Sequence, residues 1–237
     1  MPPFSAALMA AGATVEPAPN PWFSWSYVTS HTTQLLEAGQ QHILLTLTSV
    51  LLAMVVAFPL ALLVRRYPRL EAPVLALGGV LYTIPSLALI SVLWPVFGLS
   101  PWTVVVALAL YAFLVVLRNS VVGLKGVPSD AVDAARGMGY SKVRILTRVE
   151  VPLATPTILA GVRIATVTTV GLVTIGALVG YGGFGSLIYS GFLQNFWHAQ
   201  IMTATIACVL LAVVLEGLLQ LVERLLTPWT RTVRGSA

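Results

Sequence analysis

Asp133-Ala134-Ala135-Arg136-Gly137-Met138-Gly139, followed ten residues after Gly139 by Val149-Glu150-Val151-Pro152, is a polar, charged island between strongly apolar stretches. Such an island belongs in water at a membrane surface. Just upstream, Pro128-Ser129-Asp130 is a helix-start signature: Ser129 is placed to cap, and Asp130 and Asp133 suit the positive N-terminal end of a helix. Ala131, Ala134 and Ala135 are small and let a partner's surface approach the backbone. Gly137 and Gly139 are expected to break the helix and permit a sharp turn. Ser141 then caps a second helix carrying Lys142, Arg144 and Arg148, which Pro152 closes. Residues 123–152 are therefore expected to form a helix-turn-helix platform.

Working outward, the flanking chain reads as membrane spans. Crossing the hydrocarbon layer as a helix takes about 20 apolar residues. Residues 43–64 qualify without a charge, and 74–96 qualify with Pro85 and Pro95 predicting a kink or an unwound end. Residues 102–117 are a little short, but Arg118 can snorkel and let the helix run on. Residues 153–174 qualify apart from Arg163, and 201–222 apart from Glu216. The Gly-rich, aromatic, uncharged stretch 176–200 reads as a re-entrant or short interfacial segment.

The basic residues give this array a direction. Arg65, Arg66 and Arg69 follow the first span. Arg118, Lys125, Arg136, Lys142, Arg144 and Arg148 lie between the third and fourth, and Arg224, Arg231 and Arg234 follow the fifth. Of the 13 Lys and Arg only Arg163 is left over, and segments 1–42, 97–101 and 175–200 contain none. By the positive-inside rule the N-terminus is outside, and the C-terminus and the 133–139 island are inside. The expected fold is an all-α integral membrane protein of about five transmembrane helices. It has an extracytoplasmic tail over 1–40, a transmembrane domain over 41–226 and a cytoplasmic tail over 227–237.

Composition agrees. Only 9% of the chain is charged, against about 25% in soluble domains, so lipid is its main solvent. The net charge of +5 does not indicate nucleic acid, because the basic residues line one side of a bilayer. Cys208, the single cysteine, permits neither a disulfide nor a metal cluster, and His31, His42 and His198 have no metal spacing. The start of the chain has no Lys or Arg before the apolar patch at 6–11, which argues against a secretory signal.

The 133–152 pattern resembles the cytoplasmic loop of binding-protein-dependent ABC importers, with Asp133 where Glu is usual. The resemblance implies a coupling helix made by Asp133, Ala134, Ala135, Arg136, Gly137 and Gly139 and closed by Pro152. Further likeness lies in Thr83-Ile84-Pro85-Ser86-Leu87-Ala88-Leu89, in residues 159–166, and in Gly180-Tyr181-Gly182-Gly183-Phe184-Gly185. These resemble permeases for glycine betaine, carnitine, choline and related osmoprotectants. The implied partners are a dimer of ATPase subunits that binds ATP and Mg, an extracytoplasmic binding protein, and a second permease chain, identical or homologous. The implied mechanism is alternating access in a prokaryotic plasma membrane. No Gly-x4-Gly-Lys-[Ser/Thr] occurs, so ATP hydrolysis is expected in a separate subunit and no cofactor or catalytic residue in this chain.

A translocation path is sought among Arg163, Thr166, Thr169, Thr174, Pro85 and Ser86. At 100° per residue Thr155, Arg163, Thr166, Thr169 and Thr174 fall within about 140° of one helix face. That stripe faces the bundle interior, a dimer seam or a water-filled path. Arg163 serves equally as a structural or a path residue, and Glu216 is one candidate partner for it. Gly180, Gly182, Gly183 and Gly185 read as flexible glycines of an outer gate. The competing functions are a permease for another small solute such as an amino acid, or a stand-alone secondary transporter.

Overall fold

The computed structural model describes residues 20–231, all of them helix, turn or loop. The readings made for 1–19 and 232–237, Arg234 included, lie outside the described residues. A short helix α1 (Trp25–Ser30) is capped by Ser24, whose Oγ accepts from the Tyr27 amide. The first span, α2 (Thr32–Arg66), starts well before the apolar run at residue 43. Gln34, Glu37, Gln40 and Gln41 are good helix formers, so the helix continues beyond its apolar part and residues 32–40 are helical.

The second span is broken. Helices α3 (Glu71–Thr83) and α4 (Ser86–Phe97) meet at Ile84-Pro85 with a 95° bend. Proline withholds an amide and disfavours helix in the residue before it. The freed Ile84 carbonyl accepts from the Tyr111 hydroxyl of α5 (Pro101–Lys125). The chain then makes α6 (Ser129–Gly137) and a helix running from Lys142 to Val179. That helix comprises α7 (Lys142–Ile145), a π turn (Leu146–Glu150), α8 (Val151–Val173) and a 3-10 turn (Thr174–Val179). The short α9 (Phe184–Leu193) and the long α10 (His198–Leu226) complete the array. Among the described residues four helices are long and apolar enough to cross a membrane, and the bent pair makes a fifth span.

Helices α2, α5 and α8 form the core. In lipid no hydrophobic drive pulls helices together, so close packing through small residues must do it. Ala53, Ala57 and Ala61 recur every fourth residue along α2 and share a buried cluster with Ala109, Ala112 and Val116 of α5. Between α5 and α8, a Cβ on Gly161 would lie 2.4 Å from Asn119 Cβ, and one on Gly123 3.0 Å from the Ala154 carbonyl. The opposite faces carry exposed Leu51, Val55 and Val56 on α2 and Val209, Val213 and Leu218 on α10, as lipid or a partner requires.

Candidate functional site

The cytoplasmic platform is closed by hydrogen bonding around Gly139. The Tyr140 amide donates to the Ala135 carbonyl at 3.1 Å, and the Gly139 amide to the Arg136 carbonyl at 3.0 Å. Gly139 itself has φ +79. This pairing with a left-handed glycine is a Schellman ending, so Gly139 alone makes the turn. Gly137 is the last residue of α6 and is absent from the positive-φ glycines, which corrects its expected role as a breaker. Ser129 also departs from expectation. Pro128 occupies the cap position, its ring offers no hydrogen-bond acceptor, and no side chain caps α6. Ser141 does cap α7, accepting from the Arg144 amide at 3.3 Å.

Asp133, Ala134, Arg136 and Gly137 are exposed, whereas Ala135 is 1% exposed. Helix α6 packs toward the Leu146–Glu150 turn, so Ala135 belongs to the chain's own interior. The apolar side chains offered to solvent are instead Met138 and Val143, 67% and 70% exposed. Arg136 pairs with Asp133 at 2.6 Å, and Arg144 lies over the Tyr140 ring at 4.2 Å. Pro152 does not close a helix. The π turn widens the coil, proline is tolerated in the first turn of a helix, and α8 runs on through it. Glu150, only 7% exposed, bonds Arg65 at the end of α2 at 2.8 Å and so ties the platform to the first span. The motif gave no sign of that pair.

The expected threonine stripe divides. Thr166 and Thr169 are buried in the bundle, their hydroxyls donating to the carbonyls of Val162 and Ala165. Arg163, nearer the other edge of the arc, binds Glu216 through Nε at 3.0 Å and Glu223 through Nη1 at 2.8 Å. Gln220 adds an amide to Glu216 at 3.1 Å. Glu223 escaped the sequence reading although it lies seven residues from Glu216, two helical turns along the same face.

Three of the four glycines of 180–185 are pressed against neighbouring backbone or side chains. A Cβ on Gly182, Gly183 or Gly185 would come within 2.4 Å of Ala177 N, 2.6 Å of His42 Cβ and 2.3 Å of Thr174 Cα respectively. Glycine is needed there for close approach, and Gly180 and Gly183 have positive φ. His42, fully buried, fastens this turn: its Nε2 donates to the Val170 carbonyl at 2.9 Å and its Nδ1 accepts from the Phe184 amide at 3.3 Å. Gln41 accepts from the Gly183 amide at 2.8 Å. Ser86 and Thr174, at some distance from Arg163 in sequence and lining a different groove, meet on an open groove between α4, the 3-10 turn and α9; Pro85 marks the bend beside it.

Outside, residues 20–31 fasten the α9–α10 loop. Asn20 bonds the Phe196 carbonyl at 2.8 Å and accepts from the His198 amide at 2.9 Å, and Trp22 stacks on His198 at 4.2 Å. Tyr27 packs between His31 and Trp197, and burial pushes its phenol above the ordinary value.

A bundle of broken and continuous apolar spans with a water-exposed helical platform is the architecture of a polytopic membrane protein. The family model described as "Binding-protein-dependent transport system inner membrane component" matches residues 44–232. The chain belongs to this family. It is thus a non-catalytic, multi-pass inner-membrane subunit of a bacterial ABC importer, whose ATP is handled by an ATPase partner and whose substrate is delivered by a binding protein. Among relatives, the glycine betaine/carnitine/choline transport system permease protein OpuCD of Bacillus subtilis is 36% identical over 86% of this chain and 89% of its own. The osmoprotectant import permease protein OsmW of Salmonella typhimurium is 36% identical over 79% and 89%. Among solved structures, a chain of the MetNI methionine ABC transporter superposes with a TM-score of 0.75 at 21% identity, covering 84% of this chain and 98% of that one.

Proposed function

We propose that this chain translocates a quaternary-amine osmoprotectant of the glycine betaine, choline or carnitine type. It would work beside a second permease chain, above an ATPase pair and below a binding protein. The observation that carries the substrate reading is the identity of about a third, over most of the chain, to permeases named for these solutes. The groove holding Ser86 and Thr174 is consistent with it, since no charged residue lines it.

The platform supports a division of labour at the ATPase. Asp133, Ala134, Arg136, Met138 and Val143 present the docking surface, while Ala135, Gly139 and Pro152 hold its shape. ATP-driven closure of the ATPases would pull on α6, and the Arg65–Glu150 pair would pass that movement to α2. At the outer end, Gly180, Gly182, Gly183 and Gly185 act as a rigid hinge plate of the gate. Arg163 serves as a strut to α10, with Thr166 and Thr169 inside the bundle, and the path runs past Pro85, Ser86 and Thr174.

Reconstitution with the ATPase and binding protein in proteoliposomes tests the reading. ATP-dependent uptake of radiolabelled glycine betaine, choline or carnitine is expected. Uptake of an amino acid with none of these three carried would overturn it.

A further inference from the structure

We propose that Tyr189 and Phe192 form the selectivity surface of the outer groove, receiving the quaternary ammonium group against their aromatic rings; this rests on the substrate reading above. Gly185, Ile188, Tyr189 and Phe192 fall at i, i+3, i+4 and i+7, hence on one face of α9, and all four line the groove. Tyr189 and Phe192 remain 42% and 46% exposed as residues. Gly185 makes the arrangement possible, because a Cβ there would strike Thr174 Cα at 2.3 Å and push α9 off the 3-10 turn.

The opposite wall is Ser86 and Leu87, immediately after the Ile84-Pro85 break. Helix α3 runs for about 20 Å before that break. Interrupted backbone at membrane depth is tolerated only inside protein or beside a watery cavity, and discontinuous helices characteristically bound transport sites. That association favours a transported solute as the occupant of this wall.

The chemistry selects the solute. No carboxylate lines the groove to hold a cation tightly, and no Lys or Arg lines it to repel one. The Thr174 hydroxyl donates to the Gly171 carbonyl at 2.6 Å, so it offers lone pairs alone to a ligand. Aromatic rings attract a quaternary ammonium through their quadrupole, more strongly where water is excluded. The attraction is moderate, as a transit site needs. Strained backbone backs the arrangement. Asn195 and Phe196 have φ +56 and +57, conformations that non-glycine residues adopt at a cost, and Phe196 meets Phe192 edge-on at 5.6 Å.

The test uses the complete transporter in proteoliposomes with saturating binding protein, reading ATP-driven choline uptake and ATP hydrolysis together. Tyr189→Leu and Phe192→Leu are each expected to lower uptake roughly 3- to 10-fold, with hydrolysis within about twofold of the parent. Tyr189→Phe should keep uptake near the parent's, since the ring remains. Stepwise fluorination of a phenylalanine at 192 drains the ring of electron density at nearly constant shape, and uptake should decline with each fluorine. A flat fluorination series, which a lipid chain or a helix of a second copy against this face would give, overturns the inference even if the Leu variants fail to fold. Unchanged uptake in both Leu variants overturns it too. A parent transporter that carries no quaternary amine refutes the substrate reading itself, and the two failures are thereby told apart.

Discussion

Gly137 and Gly139 lie two residues apart on one turn, yet their surroundings give them opposite roles. Nothing lies within 4 Å of a Cβ at either position, but only Gly139 has a positive φ. Gly139→Ala should destabilise the Schellman ending by about 1–2 kcal/mol, while Gly137→Ala should be neutral or stabilise α6 by up to about 1 kcal/mol. Hydrogen exchange across residues 135–141 measures this, and faster exchange in both variants would contradict the assignment. The alanines divide similarly. Ala135→Asp places an unpaired charge in the chain's interior and should lower the permease's own Tm. Ala134→Asp, on the exposed side, should leave Tm unchanged and weaken co-purification of the ATPase; equal Tm loss in both would refute the division. The sequence made the alanine pair visible. Which alanine turns inward depends on the Leu146–Glu150 turn against which α6 packs, and spacing does not encode that.

At the scale of elements, α8 and α10 are joined by one cation between two carboxylates. The side chains of Arg163, Glu216 and Glu223 are 24%, 30% and 25% exposed, so the group is partly withdrawn from solvent. Breaking such a pair leaves charge uncompensated, which costs about 3–5 kcal/mol where it is well buried. Arg163→Leu should therefore destabilise the detergent-solubilised subunit by about 1–3 kcal/mol, between the exposed and buried limits, and Glu216→Gln by less, because Glu223 remains. Adding Glu216→Leu and Glu223→Leu to Arg163→Leu should recover most of the loss. Thermal unfolding followed by tryptophan fluorescence checks the series, and additive losses would argue against one coupled group. The charges were legible in the sequence, since a mid-span ion must find a partner. Glu223 was not, because it lies close to the end of the apolar run, where a carboxylate is unremarked. The break at Pro85 was legible also; the 95° bend and the bond from Tyr111 to the Ile84 carbonyl beside it were not.

For the whole molecule, the placement of basic residues makes a topological prediction. With Cys208 replaced by alanine, a cysteine at Val143 should react with a membrane-impermeant reagent only from the cytoplasmic side, and one at Gln194 only from outside. Gln194 is the better outer probe because Asn195 is held at positive φ. Labelling of Val143 from outside in intact cells would reverse the orientation. The clasp of Asn20 and Trp22 on His198 adds a second prediction. Asn20→Ala with Trp22→Ala should loosen the α9–α10 loop, seen as faster hydrogen exchange at 194–198, while the spans keep their protection; an unchanged loop would show that the clasp does not hold it.

Hydropathy, charge asymmetry and turn chemistry are local properties, and they sufficed for the helical class, the five apolar runs, the kink at Pro85, the Ser141 cap and the Gly139 turn. Each rests on the water-to-lipid transfer of a continuous run or on one residue's backbone freedom. Only the tertiary structure decided which glycines of 180–185 are pressed against neighbours, that Ala135 turns inward, and that Thr166 and Thr169 part from Arg163. It also decided that Tyr189 and Phe192 share a groove with Ser86. These outcomes depend on how α2, α4, α6, α8 and α9 are rotated about their axes. In a chain apolar on nearly every face, hydrophobic periodicity carries little of that rotation, and contacts between small residues set it.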